Sequence, residues 1–323
     1  MKRSVFLVGS IVMLSLLCPL RLLAASCCGG GSAGSLSVPK YARGVVDLSI
    51  DTELYDGYWD GKGKWRPDPP ASDLRQYRLN LGGGYRFGER VQGSLILPFV
   101  FNDNRYAGVS SQSRGLGDIS LSLLYELRDD LSSWKVYEPK DLIPAVSVAV
   151  TLTLPTGISP YDGETSSFDI TGRGFYRLDG TLLVEKSLRP WNISLSGGYG
   201  TWFERPVNRE YGRYVTPYRK DLGDRLTLSG SLGYTWVIGD GGNSLSTTGT
   251  WSRVSEGDAS YDGRRDPGSG FNKQSFGISL SWSNLDSNWS ARLSLTHSLR
   301  SDGWGENFPT TDIISAGVKY VFD

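Results

Sequence analysis

The chain holds one histidine, His297, the side chain best suited to shuttle a proton near neutral pH. Its alternate neighbours are Leu295 and Leu299, while Ser298 falls on the opposite parity. A hydrolytic site needs base and nucleophile in hydrogen-bond reach, so His297 reads as an interfacial residue and no enzyme is expected. Of the three cysteines, Cys18 lies in the leader described below, and Cys27 and Cys28 are adjacent. Adjacent Cα atoms sit only about 3.8 Å apart, short for a relaxed disulfide, and no further metal ligands lie nearby. Cys27 is either a lipidation site, though Ala24 stands where such sites usually carry leucine, or part of a plain flexible start. The Asp-Gly pairs at 56–57 and 162–163 lack calcium-loop spacing, and no phosphate-cradling glycine motif occurs. No metal and no cofactor are expected.

Charges of both signs, at alternate positions among small polar residues, carry the remaining chemistry. Asp47, Asp51, Glu53, Arg78, Arg86, Asp118, Glu126, Arg173, Arg177, Asp179, Arg225, Lys273, Arg292 and Lys319 share the parity of Ser94, Ser120, Ser122, Thr151, Ser194, Ser196, Thr227, Ser229, Ser231, Ser279 and Ser281. If these line a lumen, they make a transverse field in a narrow pore that suits polar solutes. Alternatively the charges pair across strands and simply make the interior tolerable. Arg205, Arg209, Arg213, Arg219 and Lys220 crowd residues 204–223. They could grip lipopolysaccharide phosphates or a protein partner, or be solvated with Glu204, Glu210 and Asp221 as partners.

The elements that position these residues are strands. With 41 glycines, 17 tyrosines and 10 tryptophans but two methionines, the composition suits turns and aromatic strands. Formal net charge is zero, and nothing suggests nucleic acid. Mean hydropathy of -0.27 excludes a bundle of membrane helices, but not a barrel, in which alternate residues face lipid. Residues 1–26 read as a signal peptide: Lys2-Arg3, an apolar run from Val5 to Leu17, and Ala24-Ala25-Ser26. Residues 27–40 form a Gly/Ser-rich tether. Residues 41–323 then repeat amphipathic segments at 41–55, 74–87, 91–101, 117–128, 145–154, 168–184, 191–203, 224–237, 244–254, 271–283, 289–299 and 311–322. Connections at 56–73, 102–116, 155–167, 204–223, 255–270 and 300–310 are long, and those between are mostly short. Aromatics gather at strand ends, as two interfacial girdles require. The expected fold is all-β, an antiparallel up-and-down transmembrane barrel of about 12 strands. It ends on Tyr320 and Phe322, read as the terminal aromatic signal taken by barrel-assembly machinery.

Gly115-Leu-Gly-Asp-Ile-Ser-Leu-Ser-Leu-Leu-Tyr-Glu-Leu127 and Pro144-Ala-Val-Ser-Val-Ala-Val-Thr-Leu-Thr-Leu-Pro-Thr-Gly157 resemble the outer-membrane channel family linked to phenol meta-cleavage operons. The two pieces cover about a tenth of the chain, and the strand rhythm extends the likeness to most of it. The resemblance implies a channel-like barrel for small organic solutes, aromatic ones among them; Cys27-Cys28 and the Gly-rich start are not part of its pattern. The expected function is passive diffusion of small solutes across the outer membrane of a Gram-negative bacterium, among membrane lipids and lipopolysaccharide. The alternative is a structural or partner-binding barrel, such as a membrane component of an extracellular electron-transfer complex, with its lumen plugged. An inward-folded 27–40 segment would favour the plugged form.

Overall fold

In a computed structural model the described residues are 36–130, 136–164, 166–239, 242–284, 288–301, 303–306 and 308–323. The expected signal peptide at 1–26, Cys27 and Cys28 lie outside them. The strands are β1 (Gly44–Trp59), β2 (Trp65–Arg66), β3 (Asp73–Arg86), β4 (Val91–Tyr106), β5 (Val109–Leu116), β6 (Ile119–Arg128), β7 (Ala145–Leu154), β8 (Arg177–Leu188), β9 (Trp191–Trp202), β10 (Arg205–Glu210), β11 (Arg213–Asp221), β12 (Arg225–Ile238), β13 (Asn243–Glu256), β14 (Ser260–Tyr261), β15 (Arg264–Arg265), β16 (Phe271–Asn284), β17 (Trp289–Ser298) and β18 (Pro309–Phe322).

The main sheet has 14 strands in the order β18-β17-β16-β13-β12-β9-β8-β7-β6-β4-β3-β1-β2, with β5 on β4. Setting aside the appended β2 and β5, twelve strands remain, and β18 pairs with β1 to close the ring. Every pairing in the ring is antiparallel between neighbours, so the twelve-strand ring itself has no free edge. At the seam Gly44 faces Phe322, and a Cβ on Gly44 would run into the Phe322 ring. Only glycine lets β18 close so tightly on β1.

Alternation decides which face is which. On β1, Val46, Leu48 and Ile50 are 45%, 44% and 48% exposed, whereas Asp47, Ser49 and Asp51 are 5%, 4% and 1% exposed. Apolar outside and polar inside inverts the water-soluble pattern and matches strands set in hydrocarbon. Outward aromatics at the end carrying both described termini (the terminal end) include Tyr85, Phe87, Tyr125, Trp236, Trp282, Trp289 and Tyr320; Phe99, Phe101 and Phe203 ring the opposite, loop end. Tyr234 packs between Trp191 and Trp236 at 4.9 and 4.7 Å.

Three segments differ from the sequence expectation. Residues 102–116 are not a long loop: β4 and β5 form a hairpin through Ala107 (φ 49) and Gly108 (φ 86), the double positive φ of a tight two-residue turn. The strand expected at 168–184 begins only at Arg177. Residues 155–164 and 166–176 instead fold into the barrel mouth, where Ile170, Phe175 and Ser159 are fully buried. Buried backbone there needs partners: the Ile170 and Phe168 carbonyls accept from Asn102 and Asn104 Nδ2 at 3.1 and 2.7 Å, and Thr171 Oγ1 donates to the Leu116 carbonyl at 2.6 Å. Finally, β10, β11, β14 and β15 form a separate four-stranded sheet beyond the loop end. Short polar strands escape a periodicity search.

Candidate functional site

The inner wall carries charged clusters and a hydroxyl track. On β1, β3 and β4 the polar side chains are locked together. Arg78 donates to Glu53 at 2.5 Å, and Gln76 bonds Asn102. Asn80 donates to Asp51 at 2.9 Å. Glu53 and Arg78 are 1% and 9% exposed. A charge pair this deep is sustained by its hydrogen bonds, and removing one partner typically costs about 3–5 kcal/mol.

At the loop end the inward loop meets the wall. Arg173 grips Glu256 through both guanidinium nitrogens at 2.7 Å. Arg177 Nε donates to Asp179 at 2.7 Å, and both arginines lie over the Trp202 ring, 4.6 and 4.8 Å from its centroid. Asp118, at the break between β5 and β6, accepts the backbone N–H groups of Gly157 and Arg173 at 3.1 and 2.8 Å. It thereby ties the loop down. Lys273 donates to Thr311 at 2.9 Å. Arg225, inward on β12, makes no hydrogen bond or ion pair among the described residues.

At the terminal end Arg292 forms a bidentate pair with Asp47 at 2.7 and 2.8 Å, beside Lys319 on β18. Arg86 donates to Glu126 at 2.8 Å and to the Val38 carbonyl at 2.7 Å. Val38 is 1% exposed, packed with Ala42, Val45 and Val321 on the inner wall. Its N–H donates to Gln92 Oε1 at 2.6 Å, and Lys40 pairs with Glu126 and Asp129. Residues 36–40 are thus docked in the lumen rather than hanging as a tether. Gly82 and Gly84 make room for Leu36 and Val38, which sit 3.2 and 3.1 Å from where their Cβ atoms would be.

On β6, β7, β9, β12, β13 and β16, between the charged groups of the two ends, the inner wall is carried by hydroxyls. Facing hydroxyls bond in pairs at matched register positions: Ser122 with Thr151, Ser194 with Ser231, Ser196 with Ser229, Thr235 with Ser246 and Ser244 with Ser283, all at 2.7–2.8 Å. Each pair leaves acceptor capacity toward the lumen. A cavity of about 270 Å³ opens there at the terminal end, lined in part by Ser246, Ser281, Ser283, Ser290, Arg292 and Lys319.

Outside the membrane zone, Lys220 donates to Glu210 at 3.2 Å beneath Tyr161 and Tyr261. Burial alone would favour its neutral form, but Tyr161, Glu210 and Tyr261 hold the ammonium above its ordinary pKa. Burial pushes the Tyr161 and Tyr218 phenols up. Arg219 pairs with Glu204 at 2.8 Å and Arg205 lies 3.7 Å from Asp162. Arg209 stacks over Tyr214, while Arg213 is exposed. His297 is outward, and its Nδ1 lies 2.6 Å from Asp312 Oδ1. No hydroxyl bonds to it among the described residues. None of the described residues form a metal-type cluster of three or more His, Cys, Asp or Glu.

Of the charges singled out in the sequence, all but Arg225 and Lys319 thus find polar partners among the described residues. Glu256, Trp202, Gln92 and Val38 were missed. Carrying the β13 parity two residues further would have placed Glu256 inward. Nothing in the pattern marks Val38.

Residues 71–213 match the model of the family described as "Putative MetA-pathway of phenol degradation". No curated protein matches. Among solved structures, the COG4313 outer membrane channel from Pseudomonas putida F1 is similar with a TM-score of 0.63 and 16% identity over 91% of this chain and 99% of that one. The beta domain of the Bordetella autotransporter BrkA is similar with a TM-score of 0.51 and 12% identity over 87% and 100%. The chain has the fold of the outer-membrane β-barrels. The family whose motifs the sequence resembles is the one whose model matches. In this barrel Tyr320 is outward, 5.0 Å from Trp289, and Phe322 lies at the seam.

Proposed function

We propose that this barrel is a passive diffusion channel for small solutes, with its terminal end toward the periplasm. The observation that carries the reading is the hydroxyl track. Five self-paired Ser/Thr couples and a cavity of about 270 Å³ offer water and polar solutes a neutral track. Most of the charges around it, Arg225 and Lys319 excepted, are held by polar partners. Small organic compounds, aromatic ones among them, are the cargo class, a choice supported by the family description. The assembly machinery would read Tyr320 and Phe322. Lipids and lipopolysaccharide would surround the wall, and the separate sheet of β10, β11, β14 and β15 offers the surface for any protein partner. No catalytic role is assigned to the His297–Asp312 pair, because among the described residues no nucleophile joins it.

The docking of Val38 supports a second reading, a barrel plugged at its periplasmic mouth that serves a structural or partner-binding role. Bilayer conductance of the folded protein tests the two. A channel conducts with residues 27–40 in place; conductance only after their removal makes the segment a plug and favours the second reading, and silence from both forms overturns the channel.

A further inference from the structure

We propose that the loop end of the lumen holds a binding step for small organic carboxylates, centred on Arg225 and Trp202; this rests on the diffusion-channel reading above. Arg225 and Trp202 are inward neighbours on adjacent strands. Arg225 faces Gly200 across the β12–β9 pairing, and Trp202 stands two residues further along the same face of β9. Every carboxylate nearby is already engaged. Glu256, directly opposite Arg225 on β13, spends both oxygens on Arg173. Asp179 gives an oxygen to Arg177, and Asp118 gives both to backbone N–H groups. Arg225 is left with its donors unused.

A second observation points the same way. Trp202 is 5% exposed, yet its indole Nε1 has no hydrogen-bond partner. A buried donor without an acceptor is uncommon and asks for an occupant. The Trp202 ring is bracketed by Arg173 and Arg177 and touched edge-on by Phe175 at 6.4 Å. The donors left without a partner are a planar guanidinium fork and one N–H beside the Phe175 ring, and Asp179 Oδ1 is the one acceptor left over there among the described residues. A carboxylate has two oxygens to accept from such a pair, the geometry arginine recognises best. Asp179 leans over Gly200, whose Cβ would meet its Oδ1, so a negative charge stands close by. That keeps the hold weak, as a permeation step requires, since a solute must leave as readily as it enters.

The test uses the mature barrel in a planar bilayer with potassium chloride, titrated with potassium benzoate, with potassium acetate as the smaller comparison. Folded barrels are also taken through equilibrium dialysis against radiolabelled benzoate. Benzoate at millimolar concentration should reduce the chloride current, with Arg225→Gln weakening the effect at least tenfold and Trp202→Phe weakening it severalfold. Arg264→Gln, an exposed change on the external sheet, should leave it unaltered. Dialysis should show the same ranking. Conduction with benzoate acting equally on wild type and Arg225→Gln overturns the carboxylate step and leaves the channel reading standing. Silence in the bilayer from folded protein overturns the channel reading, and dialysis then decides the site by itself: equal retention by wild type and Arg225→Gln overturns it. Folding of each variant is verified by heat-modifiable gel mobility.

Discussion

Replacing Arg86 with methionine should release residues 36–40 from the lumen while leaving the barrel folded. Arg86 Nη2 donates to the Val38 carbonyl at 2.7 Å, a bond from a charged donor worth about 1.5–3 kcal/mol. Losing it should raise the undocked fraction by about 10- to 100-fold, since about 1.4 kcal/mol corresponds to a factor of ten. The other contacts survive. Val38 keeps its burial and its bond to Gln92, worth about 1.5 kcal/mol for the side chain. Glu126 keeps Gln92 at 3.1 Å and Lys40 at 3.5 Å. Lys40 is half exposed, so its ion pairs contribute only about 0–1 kcal/mol. Hydrogen exchange of a peptide covering residues 36–42, followed by mass spectrometry in detergent, reads the docked fraction directly. Exchange rising by an order of magnitude with strand amides unchanged is the expected result. Exchange within twofold of wild type would refute the claim that this bond holds the segment in place.

Three further outcomes follow from the same contacts. Asp47→Asn deprives Arg292 of its bidentate partner beside Lys319, so the reversal potential in a salt gradient should move toward anions; a shift toward cations would contradict it. In the external sheet Lys220 and Tyr218 both bind their protons more tightly when folded. Raised pKa values supply stability that is complete below their ordinary values near 10 and lost as pH climbs past them. Tyrosine absorbance at 295 nm should therefore show phenols resisting ionisation above pH 10 until the sheet opens, and Lys220→Met should bring that opening to lower pH. Phe322→Ala removes the ring that fills the space over Gly44, so the yield of heat-modifiable barrel in outer membranes should fall severalfold, by gel.

Much of the wall was legible because a strand's faces alternate strictly: once Val46, Leu48 and Ile50 are placed in lipid, Asp47 and Asp51 can only point inward. The same rule found the hydroxyl track and the seam strand. It could give the face of Arg173 but not its element, because residues 155–164 and 166–176 leave the sheet and bury themselves through side-chain bonds to backbone, such as Asn102 to Ile170. Those bonds join positions 68 apart and carry no local periodicity. The 102–116 hairpin hid for a related reason. Its turn uses Ala107 at positive φ, where sequence rules look for Asn or Gly. Docking of Val38 was illegible altogether, since a lone valine after a Gly/Ser-rich run has no pattern to betray which cavity it fills.

The most direct measurement is the single-channel conductance of the refolded mature barrel, with and without residues 27–40. A passive channel narrowed by docked residues 36–40 predicts steady, ohmic steps in the shortened form and smaller steps in the full one. Silence from both forms, with folding shown by heat-modifiable mobility, would contradict it.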